Sequence, residues 1–365
     1  MNVSTEPAIT IEALPAAYGD ALLLTCPVAD GSWRLLMDMG PDETWPLLQK
    51  RLASLPTDSQ GRRHIDLAII SHIDHDHIGA ARLLFADSAL GLSFGDVWFN
   101  ARRHLQAAAR GVAEGEALAT ILGAPERSLP WNGAFGGGRV ATAGQGGFVE
   151  LPSAPGYPKL TLLSPTPARL ARLASVWDKE LARLQQRESN TQEQFQRGIT
   201  FPDLETLAAL TTTKDQALPN GSSIAILLEH RGASVLLAAD AFPNVLASAL
   251  RAVAKHRNQH APLAIDAFKL SHHGSRGNLV LDLLKAVRAN YYIVSTDNSR
   301  FGHPHDETLA RVILHGGEQP TLCFNHATEY NLRWADPQLQ EHYRYATLFP
   351  QDAEQGAVLI LPAHL

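Results

Sequence analysis

The chain has 365 residues, of which 45% are hydrophobic and 19% charged, a composition typical of a globular protein with a sizeable core. Its net charge of −6 provides no overall basic field for long-range attraction to nucleic acid, although a local basic patch is compatible with it. The two cysteines, Cys26 and Cys323, lie far apart and form no C-x-x-C motif, which argues against a disulfide framework and a thiolate zinc site.

The N-terminus has no basic segment followed by an apolar one, so a secretory signal is not indicated. No stretch of the sequence approaches the length of a membrane span. We therefore expect a soluble, cytoplasmic protein with no membrane partner. The sequence carries no signal for the oligomeric state.

The first hundred residues alternate between strands and helices. The run over 65–70 is continuously apolar and is therefore predicted to be a buried strand. Asp42 is a suitable N-cap for an amphipathic helix. The predicted strands are 9–14, 21–26, 34–37, 65–70 and 97–99, and the predicted helices are 42–55 and 79–86.

Glycine-rich stretches over 133–138 and 144–147 mark a change of character in the middle of the chain. Neither stretch contains the G-x-x-x-x-G-K-[ST] motif or lies between a strand and a helix, so a phosphate cradle is disfavoured. A mobile surface loop or lid is the preferred interpretation.

We interpret 101–219 as mostly an insertion within a single domain that spans 1–365. The insertion is predicted to be a helical and glycine-rich lid, while a strand over 159–163 belongs to the core. Helices are predicted over 101–110, 114–122 and 167–186, and the polar connector over 187–219 is predicted to be partly disordered.

Strands and helices alternate again from residue 220 onward. This second half resembles the first in its order of elements, which predicts a layered α/β sandwich. The predicted strands are 223–228, 234–239, 264–270, 291–295, 322–324 and 357–361, and the predicted helices are 242–254, 280–288 and 306–315.

The turn over 71–79 joins the buried strand 65–70 to a helix and contains an unusual density of polar groups. His72, Asp74, Asp76 and His77 lie within it. Close carboxylates repel one another and crowded imidazoles are costly to bury, so a cation between them is needed to stabilise the turn. A pair of divalent metal ions is favoured over the alternative of a solvated polar loop.

Three further polar clusters follow predicted strands, at Asp240, 269–276 and 298–305. Each cluster alone is weak evidence, because Asp240 could be an ordinary turn carboxylate and 272–273 a pair of surface histidines. The carboxyl ends of parallel strands meet at one edge of a sheet, where α/β proteins place their sites. Together with the turn over 71–79, the clusters predict a single functional site.

The motif His72-x-Asp74-x-Asp76-His77 resembles the H-x-[HD]-x-D-H signature of the metallo-β-lactamase fold. Because aspartate stands at its second position, it is similar to the hydrolase domain of the ComEC competence proteins and their stand-alone relatives. The resemblance covers about 9–100 and 220–310, and leaves the insertion uncovered. The other matching segments, in the family's order, are 19–21, 36–40, 220–223, 236–240, 269–275 and 302–304.

This resemblance implies an α/β fold with the four-layer αββα sandwich and a site for two metal ions. Residue by residue, it assigns one ion to His72 and Asp74, the other to Asp76 and His77, and a bridging position to Asp240. We expect Zn²⁺ first, with Mn²⁺ or Fe as alternatives, because a carboxylate-rich ligand set is harder than one made only of imidazoles.

One histidine of the pair His272 and His273 would complete the second metal site. We favour His272 as the ligand and expect His273 to support the site or contact substrate. The wider superfamily has a Gly-His motif before the bridging aspartate, whereas this chain has Asn220 and Ser222 there, which leaves occupancy of the first metal site open. His75 fills a variable position and is expected to be exposed.

Positive charge around the mouth of the site would suit an anionic ester, phosphate above all. The residues expected to supply it are Lys269, Arg276, Arg300, His303 and His305. The residues expected to act in catalysis are Asp76, Lys269 and His303, and His303 is the candidate for a phosphate contact or for the general acid, or simply precedes Pro304. The residues expected to contact substrate are Asn220, Ser222, Ser275, Arg276 and Arg300.

The sequence thus favours a metal-dependent hydrolase that uses a hydroxide bridged by two metal ions. A phosphodiesterase or nuclease is preferred, acting on a nucleotide or a nucleic-acid end rather than on a long duplex, given the acidic net charge. The alternative is hydrolysis of a lactam, lactone, thioester or peptide, because one fold serves both chemistries. A non-catalytic, metal-bound interaction module is the least favoured hypothesis.

Overall fold

The computed structural model describes residues 3–105, 113–125, 128–188 and 203–364. The strands within them are β1 (Val3–Ala13), β2 (Ala21–Val28), β3 (Gly31–Met39), β4 (Arg63–Ile69), β5 (Leu92–Trp98), β6 (Val149–Glu150), β7 (Lys159–Ser164), β8 (Ala225–His230), β9 (Ala233–Leu237), β10 (Leu263–Lys269), β11 (Val287–Val294), β12 (Thr321–Phe324), β13 (Ala346–Leu348) and β14 (Ala357–His364). The helices are α1 (Trp45–Ala53), α2 (His75–Ile78), α3 (Ala81–Ala86), α4 (Arg102–Leu105), α5 (Ala113–Leu122), α6 (Pro167–Glu188), α7 (Leu204–Ala209), α8 (Pro243–His256), α9 (Leu281–Leu284), α10 (Asp306–His315), α11 (Glu329–Leu332) and α12 (Pro337–Tyr343).

The strands form two mixed sheets. The first has the order β14-β1-β2-β3-β4-β5, in which β3, β4 and β5 are parallel. The second has the order β13-β12-β11-β10-β9-β8-β7-β6, in which β9 to β13 are parallel. Each half of the chain therefore supplies a set of parallel strands, and such strands carry functional groups at their carboxyl ends.

Side chains that alternate along the strands divide the core into three layers. Leu22 and Leu24 of β2 face the second sheet, whereas Leu23 between them faces the helices. This period of two is what a strand buried on both faces requires. Helices α1, α3, α5 and α6 cover the first sheet, and α7, α8, α9 and α10 cover the second. The predicted four-layer αββα sandwich is thereby confirmed.

The two sheets are joined at the edge where their parallel strands end. The backbone N–H of Asp297 donates to the carbonyl oxygen of Ala17 at 2.9 Å, and the Ser295 hydroxyl donates to that of Gly19 at 2.9 Å. The backbone N–H of Ile224 donates to the carbonyl oxygen of Ser71 at 3.0 Å. These bonds bring the loops after β1, β4 and β11 and the segment that precedes β8 to one place.

Strand β7 pairs antiparallel with β8 within the second sheet, and so lies in the layered core. The predicted helices over 101–110 and 114–122 correspond to α4 and α5, with 106–112 outside the described residues. The connector over 187–219 contains α7, and its part over 189–202 lies outside the described residues. The limits of the insertion stay a prediction.

The glycine-rich stretch that follows Trp131 is tied to β5. The Asp96 carboxylate accepts hydrogen bonds from the backbone N–H groups of Gly133 and Ala134, each at 2.8 Å. The buried Asn132 amide donates to the carbonyl oxygens of Phe99 and Gly138. The stretch is therefore anchored at its base to β5. Its role as a lid stays a prediction.

Within the described ranges, no helix combines the length and the apolar character needed to cross a membrane.

Candidate metal centre

Three loops, which follow β4, β9 and β10, place histidine and aspartate side chains around one buried point. Asp240 lies at its middle, after β9, with a side chain that is 2% exposed. Its Oδ1 lies 3.2 Å from Nε2 of His77, and its Oδ2 lies 3.9 Å from Nε2 of His72 and 3.5 Å from Nε2 of His272. The two oxygens of Asp240 thus face different histidines, as a carboxylate that bridges two cations requires.

Asp74 and Asp76 lie on opposite sides of this bridge. Asp74 Oδ2 is 3.6 Å from Nε2 of His72, and Asp76 Oδ2 is 3.2 Å from Nε2 of His273. One group therefore consists of His72, Asp74 and His272 around Oδ2 of Asp240, and a second of Asp76, His77 and His273 on the side of Oδ1. The structure places His273, instead of the favoured His272, beside Asp76, while His272 lies on the side of His72 and Oδ2 of Asp240.

The Nδ1 atoms of two of these histidines are held by groups at the end of β3 and β4. His77 Nδ1 lies 2.8 Å from Asp38 Oδ2. Ser71 donates its hydroxyl to Asp38 at 2.8 Å, so its oxygen is available to accept from Nδ1 of His72 at 3.0 Å. Both imidazoles then carry their proton on Nδ1 and direct an Nε2 lone pair at the carboxylates, the arrangement of metal-binding histidines.

The other two histidines are held in the same way. His272 Nδ1 lies 3.1 Å from Asn278 Oδ1 and 3.3 Å from Asp215 Oδ2. His273 Nδ1 lies 3.0 Å from the carbonyl oxygen of Ser295. In all four imidazoles the nitrogen that faces the centre is therefore Nε2. The four residues come from two different loops, and their shared ring orientation is the one that metal-binding histidines adopt.

The atoms that face the centre lack hydrogen-bond partners although they are buried. They are Nε2 of His72, His77 and His273, Oδ1 of Asp74 and Oδ1 of Asp240. Buried polar atoms without hydrogen-bond partners are rare and costly. Here several nitrogen and oxygen atoms direct their lone pairs into the same space. Atoms of Asp20, His77, Asp240 and His273 all lie within 4.8 Å of one another. Divalent cations would satisfy them, so the residues fit the implied metal ions.

The electrostatics of the centre favour positive charge beside its carboxylates. Burial opposes ionisation of Asp240, but the positive field of His272 and His77 outweighs it and holds the pKa of the carboxyl well below its usual range. Burial likewise opposes protonation of His272, and Asp240 and Asp215 overcome it and raise its pKa to about 9. The carboxylates thus attract protons to imidazoles that a metal ion would hold deprotonated.

The backbone at the centre takes rare conformations. Asp38, Ala239, His272 and His273 all have φ between 45° and 57°, in the left-handed region that residues with a Cβ seldom adopt. Gly19 packs so tightly that a Cβ there would stand 2.1 Å from the carbonyl oxygen of Asp76. Such strain typically clusters at functional sites, where the surrounding structure imposes it.

Lys269 does not line the mouth of the site, which corrects the expectation from the sequence. Its side chain is 0% exposed, and its Nζ donates to Asp20 Oδ2 at 2.6 Å and to the carbonyl oxygen of Leu270 at 3.0 Å. Asp20 Oδ1 in turn lies 3.2 Å from Nδ1 of His273. Lys269 therefore neutralises a carboxylate beneath the histidine and has no access to substrate.

Arg276 is also engaged, since its guanidinium pairs with Glu307 at 2.9 Å. Arg300 lies at the rim, with its Cζ 4.2 Å above the Tyr18 ring. His303 is buried next to the centre, its ring centroid 4.8 Å from that of His272 and 5.0 Å from that of His305. Burial and the neighbouring imidazoles hold the pKa of His303 well below its usual range, so the ring is neutral.

Asn220, Ser222 and Ser275 are all buried. The Asn220 amide donates to Asp215 Oδ2 at 2.7 Å, and the Ser222 hydroxyl donates to the carbonyl oxygen of Pro219 at 2.6 Å. Both side chains brace the turn beside His272, and Ser222 does not face the centre. His75 is half-buried on α2, instead of exposed as expected.

Three carboxylates that position histidines were not singled out from the sequence as site residues. They are Asp20, Asp38 and Asp215. Asp20 and Asp38 occur in matching segments of the family resemblance, at a strand start and a strand end, which was an available signal. Asp215 lies in the polar connector, where no pattern distinguished it.

No protein-family model and no curated protein matches the chain. Among solved structures, the chain is similar to the metallo-beta-lactamase fold protein YhfI from Bacillus subtilis, with 12% sequence identity and a TM-score of 0.42. That similarity covers 98% of this chain and 100% of the other. At this level the likeness carries no argument about ligands or activity, and the αββα architecture follows from the strand order and layers of this chain.

Proposed function

We propose that the protein is a metal-dependent hydrolase with two divalent cations in its centre. His72, Asp74, His272 and Oδ2 of Asp240 would hold one ion, and Asp76, His77, His273 and Oδ1 of Asp240 the other. The observation that carries the proposal is the convergence of four imidazole Nε2 atoms, three of them buried without a partner, on the carboxylate oxygens of Asp240 and Asp76.

Two divalent ions in such a centre supply a water of lowered pKa and polarise the bond that is cleaved. The chain's own contribution is to hold the ligands in place before the ions bind. Ser71, Asp38, Asp215, Asn278 and the carbonyl oxygen of Ser295 contact the Nδ1 atoms of the four imidazoles and so orient each Nε2 toward the centre. The buried ion pair of Lys269 with Asp20 neutralises the carboxylate that lies next to His273.

For the substrate, we propose a phosphodiester, with a nucleotide or a nucleic-acid end as the compound class. Arg300 at the rim and the rings of His303 and His305 provide cationic or hydrogen-bonding groups beside the centre. His303 is neutral in its buried position, so one nitrogen can donate a hydrogen bond to an ester oxygen or to a leaving group. The resemblance to ComEC-like hydrolases points to the same class.

An acyl substrate is the second candidate, and one observation favours it. Lys269 is buried against Asp20 and Arg276 is paired with Glu307, so the mouth has less positive charge than its sequence suggests. A less cationic mouth would suit a neutral lactone, a thioester or a peptide, for which the same two-cation chemistry serves.

Metal analysis combined with hydrolysis of bis(p-nitrophenyl) phosphate tests the proposal. The wild type should hold about two metal ions per chain and turn over the phosphodiester with Zn²⁺ or Mn²⁺. Asp240→Ala should lose both metal and turnover, whereas Asp352→Ala, at an exposed aspartate far along the chain, should keep both. Two bound ions with turnover only of acyl esters would favour the second candidate. A protein that binds no metal under any loading condition would refute the proposal of a metal-dependent hydrolase.

A further inference from the structure

A polar cavity of about 300 Å³ lies between the first turns of α6 and α8. The loop over 144–147, the second glycine-rich stretch, closes one side of it. A Cβ at Gly146 would stand 2.8 Å from the Ser248 hydroxyl of α8, and the φ of 70° at this residue favours glycine. The polar side chains that line it are Gln145, Thr166, Arg169, Arg172, Asn244 and Ser248, and Ala168 and Val245 complete the lining.

Two arginines give this cavity its charge. Within the described residues, neither Arg169 nor Arg172 forms an ion pair with a carboxylate. Burial and the neighbouring charge of Arg172 both lower the pKa of Arg169, and no acidic residue offsets them. Arg169 is half-buried and Arg172 is exposed, and two neighbouring guanidinium groups that repel each other are stabilised if an anion lies between them.

The other groups around the cavity are hydrogen-bond donors that suit an oxyanion. α6 and α8 have 22 and 14 residues and both begin at the cavity, so their amide dipoles add positive potential there. No side chain caps the first turn of α8. The amides of Gln145 and Asn244 and the hydroxyls of Thr166 and Ser248 add donors, and the lining contains no carboxylate.

The cavity is connected to the candidate metal centre through Phe242. Arg169 places its Cζ 4.6 Å above the Phe242 ring, and Phe242 lies two residues after Asp240. A Cβ at Gly221 would stand 3.0 Å from the same ring, and the adjacent Asn220 contacts Asp215 beside His272. A ligand bound between the arginines would therefore lie near the metal centre, across one aromatic side chain.

We propose that this cavity is a second anion site, which binds a phosphate group outside the metal centre. The group could be a phosphate of the substrate remote from the bond that is cleaved, or it could belong to a separate phosphorylated molecule. Binding of phosphate there does not depend on the proposed hydrolysis. Only the identification of the group as part of a substrate rests on the proposed function.

Titration of the protein as purified, without added metal, with inorganic phosphate, followed by calorimetry, tests the site. The variant Arg169→Gln with Arg172→Gln should bind phosphate at this cavity at least about tenfold more weakly than the wild type, since two charge-assisted contacts are lost. Arg172→Gln alone, at an exposed position, should show an intermediate loss. Arg288→Gln removes one exposed charge elsewhere and should leave the isotherm unchanged. An isotherm that is the same in all four proteins would overturn the proposal.

Steady-state kinetics then distinguishes the two sources of phosphate. If the cavity takes a remote phosphate of the substrate, the KM for a 5′-phosphorylated dinucleotide should rise about tenfold relative to the KM for bis(p-nitrophenyl) phosphate in the double variant. An unchanged ratio with weakened phosphate binding would indicate a separate phosphorylated ligand. Because the calorimetric result needs no turnover, failure of the proposed function leaves the test of this site intact.

Discussion

Replacing Lys269 by methionine tests the claim that this lysine neutralises a buried carboxylate. Methionine has a similar length and keeps the apolar packing, but it removes the charge and the bonds to Asp20 and to the carbonyl oxygen of Leu270. Asp20 is 1% exposed, so water cannot replace the lost partner. The variant therefore retains a buried carboxylate whose remaining neighbour of opposite charge is His273.

The expected cost is large because both partners are fully buried. Breaking a buried ion pair by removing one partner typically costs about 3–5 kcal/mol, since the other charge is left uncompensated. The double variant Asp20→Asn with Lys269→Met removes both charges and should recover a substantial part of that loss. Lys50→Met is the matched control, because Lys50 pairs with Glu354 at the surface and its side chain is 75% exposed.

The assay is urea unfolding at fixed metal loading, followed by circular dichroism. Lys269→Met should lower the midpoint strongly, the double variant less, and Lys50→Met hardly at all. The loss should also shrink at low pH: Lys269 and His273 hold the pKa of Asp20 below its unfolded value, so stability from this ionised carboxylate is lost as the pH falls toward and below about 4. A midpoint for Lys269→Met equal to that of Lys50→Met would refute the reasoning.

Three further outcomes are expected. Asp38→Asn should weaken metal binding about 10–100-fold in a chelator competition, because it disturbs the Nδ1 partner of His77; unchanged affinity would remove Asp38 from the positioning role. Gly19→Ala should lower the Tm more than Gly136→Ala does, since its Cβ would meet a carbonyl oxygen at 2.1 Å, whereas at residue 136 nothing lies within 4 Å and only the φ of 62° opposes a side chain; equal shifts in calorimetry would contradict the packing argument. Burial, then the charge of Arg103, lowers the pKa of His104 from 6.5 to about 4, so the unfolded chain binds this proton first and stability should fall as the pH drops from 6.5 to 4. In His104→Gln the urea midpoint should vary less with pH over that range, and an identical pH dependence would contradict the assignment.

The layered architecture and the position of the site follow from local patterns in the sequence. Alternation along β2 and β3 separates the residues that face the second sheet from those that face the helices, and this needs only a period of two. Aspartates and histidines crowded into the turn after β4 are too costly to bury without a cation, so the turn over 71–79 indicates a metal centre by itself.

The partners of those residues depend on contacts between distant segments, which no local pattern encodes. Asp38 lies 39 residues from the histidine that it positions, and Lys269 lies 249 residues from Asp20. The sequence suggested that Lys269 was a substrate-facing cation, because a lysine is almost never fully buried unless it is paired. The tertiary structure buries it against a carboxylate contributed by the opposite half of the chain.

The roles of His272 and His273 show the same limit. Adjacent residues have the same spacing from every other motif, so sequence distance cannot distinguish them as ligands. Their separation is decided by left-handed backbone conformations at both residues, which direct one ring toward Oδ2 of Asp240 and the other toward Asp76. Sequence therefore determined which residue types meet at the edge of the two sheets. Only the packing of one sheet on the other decided which side-chain atom of each site residue faces the centre. The orientation of these side chains depends on contacts between the two halves of the chain.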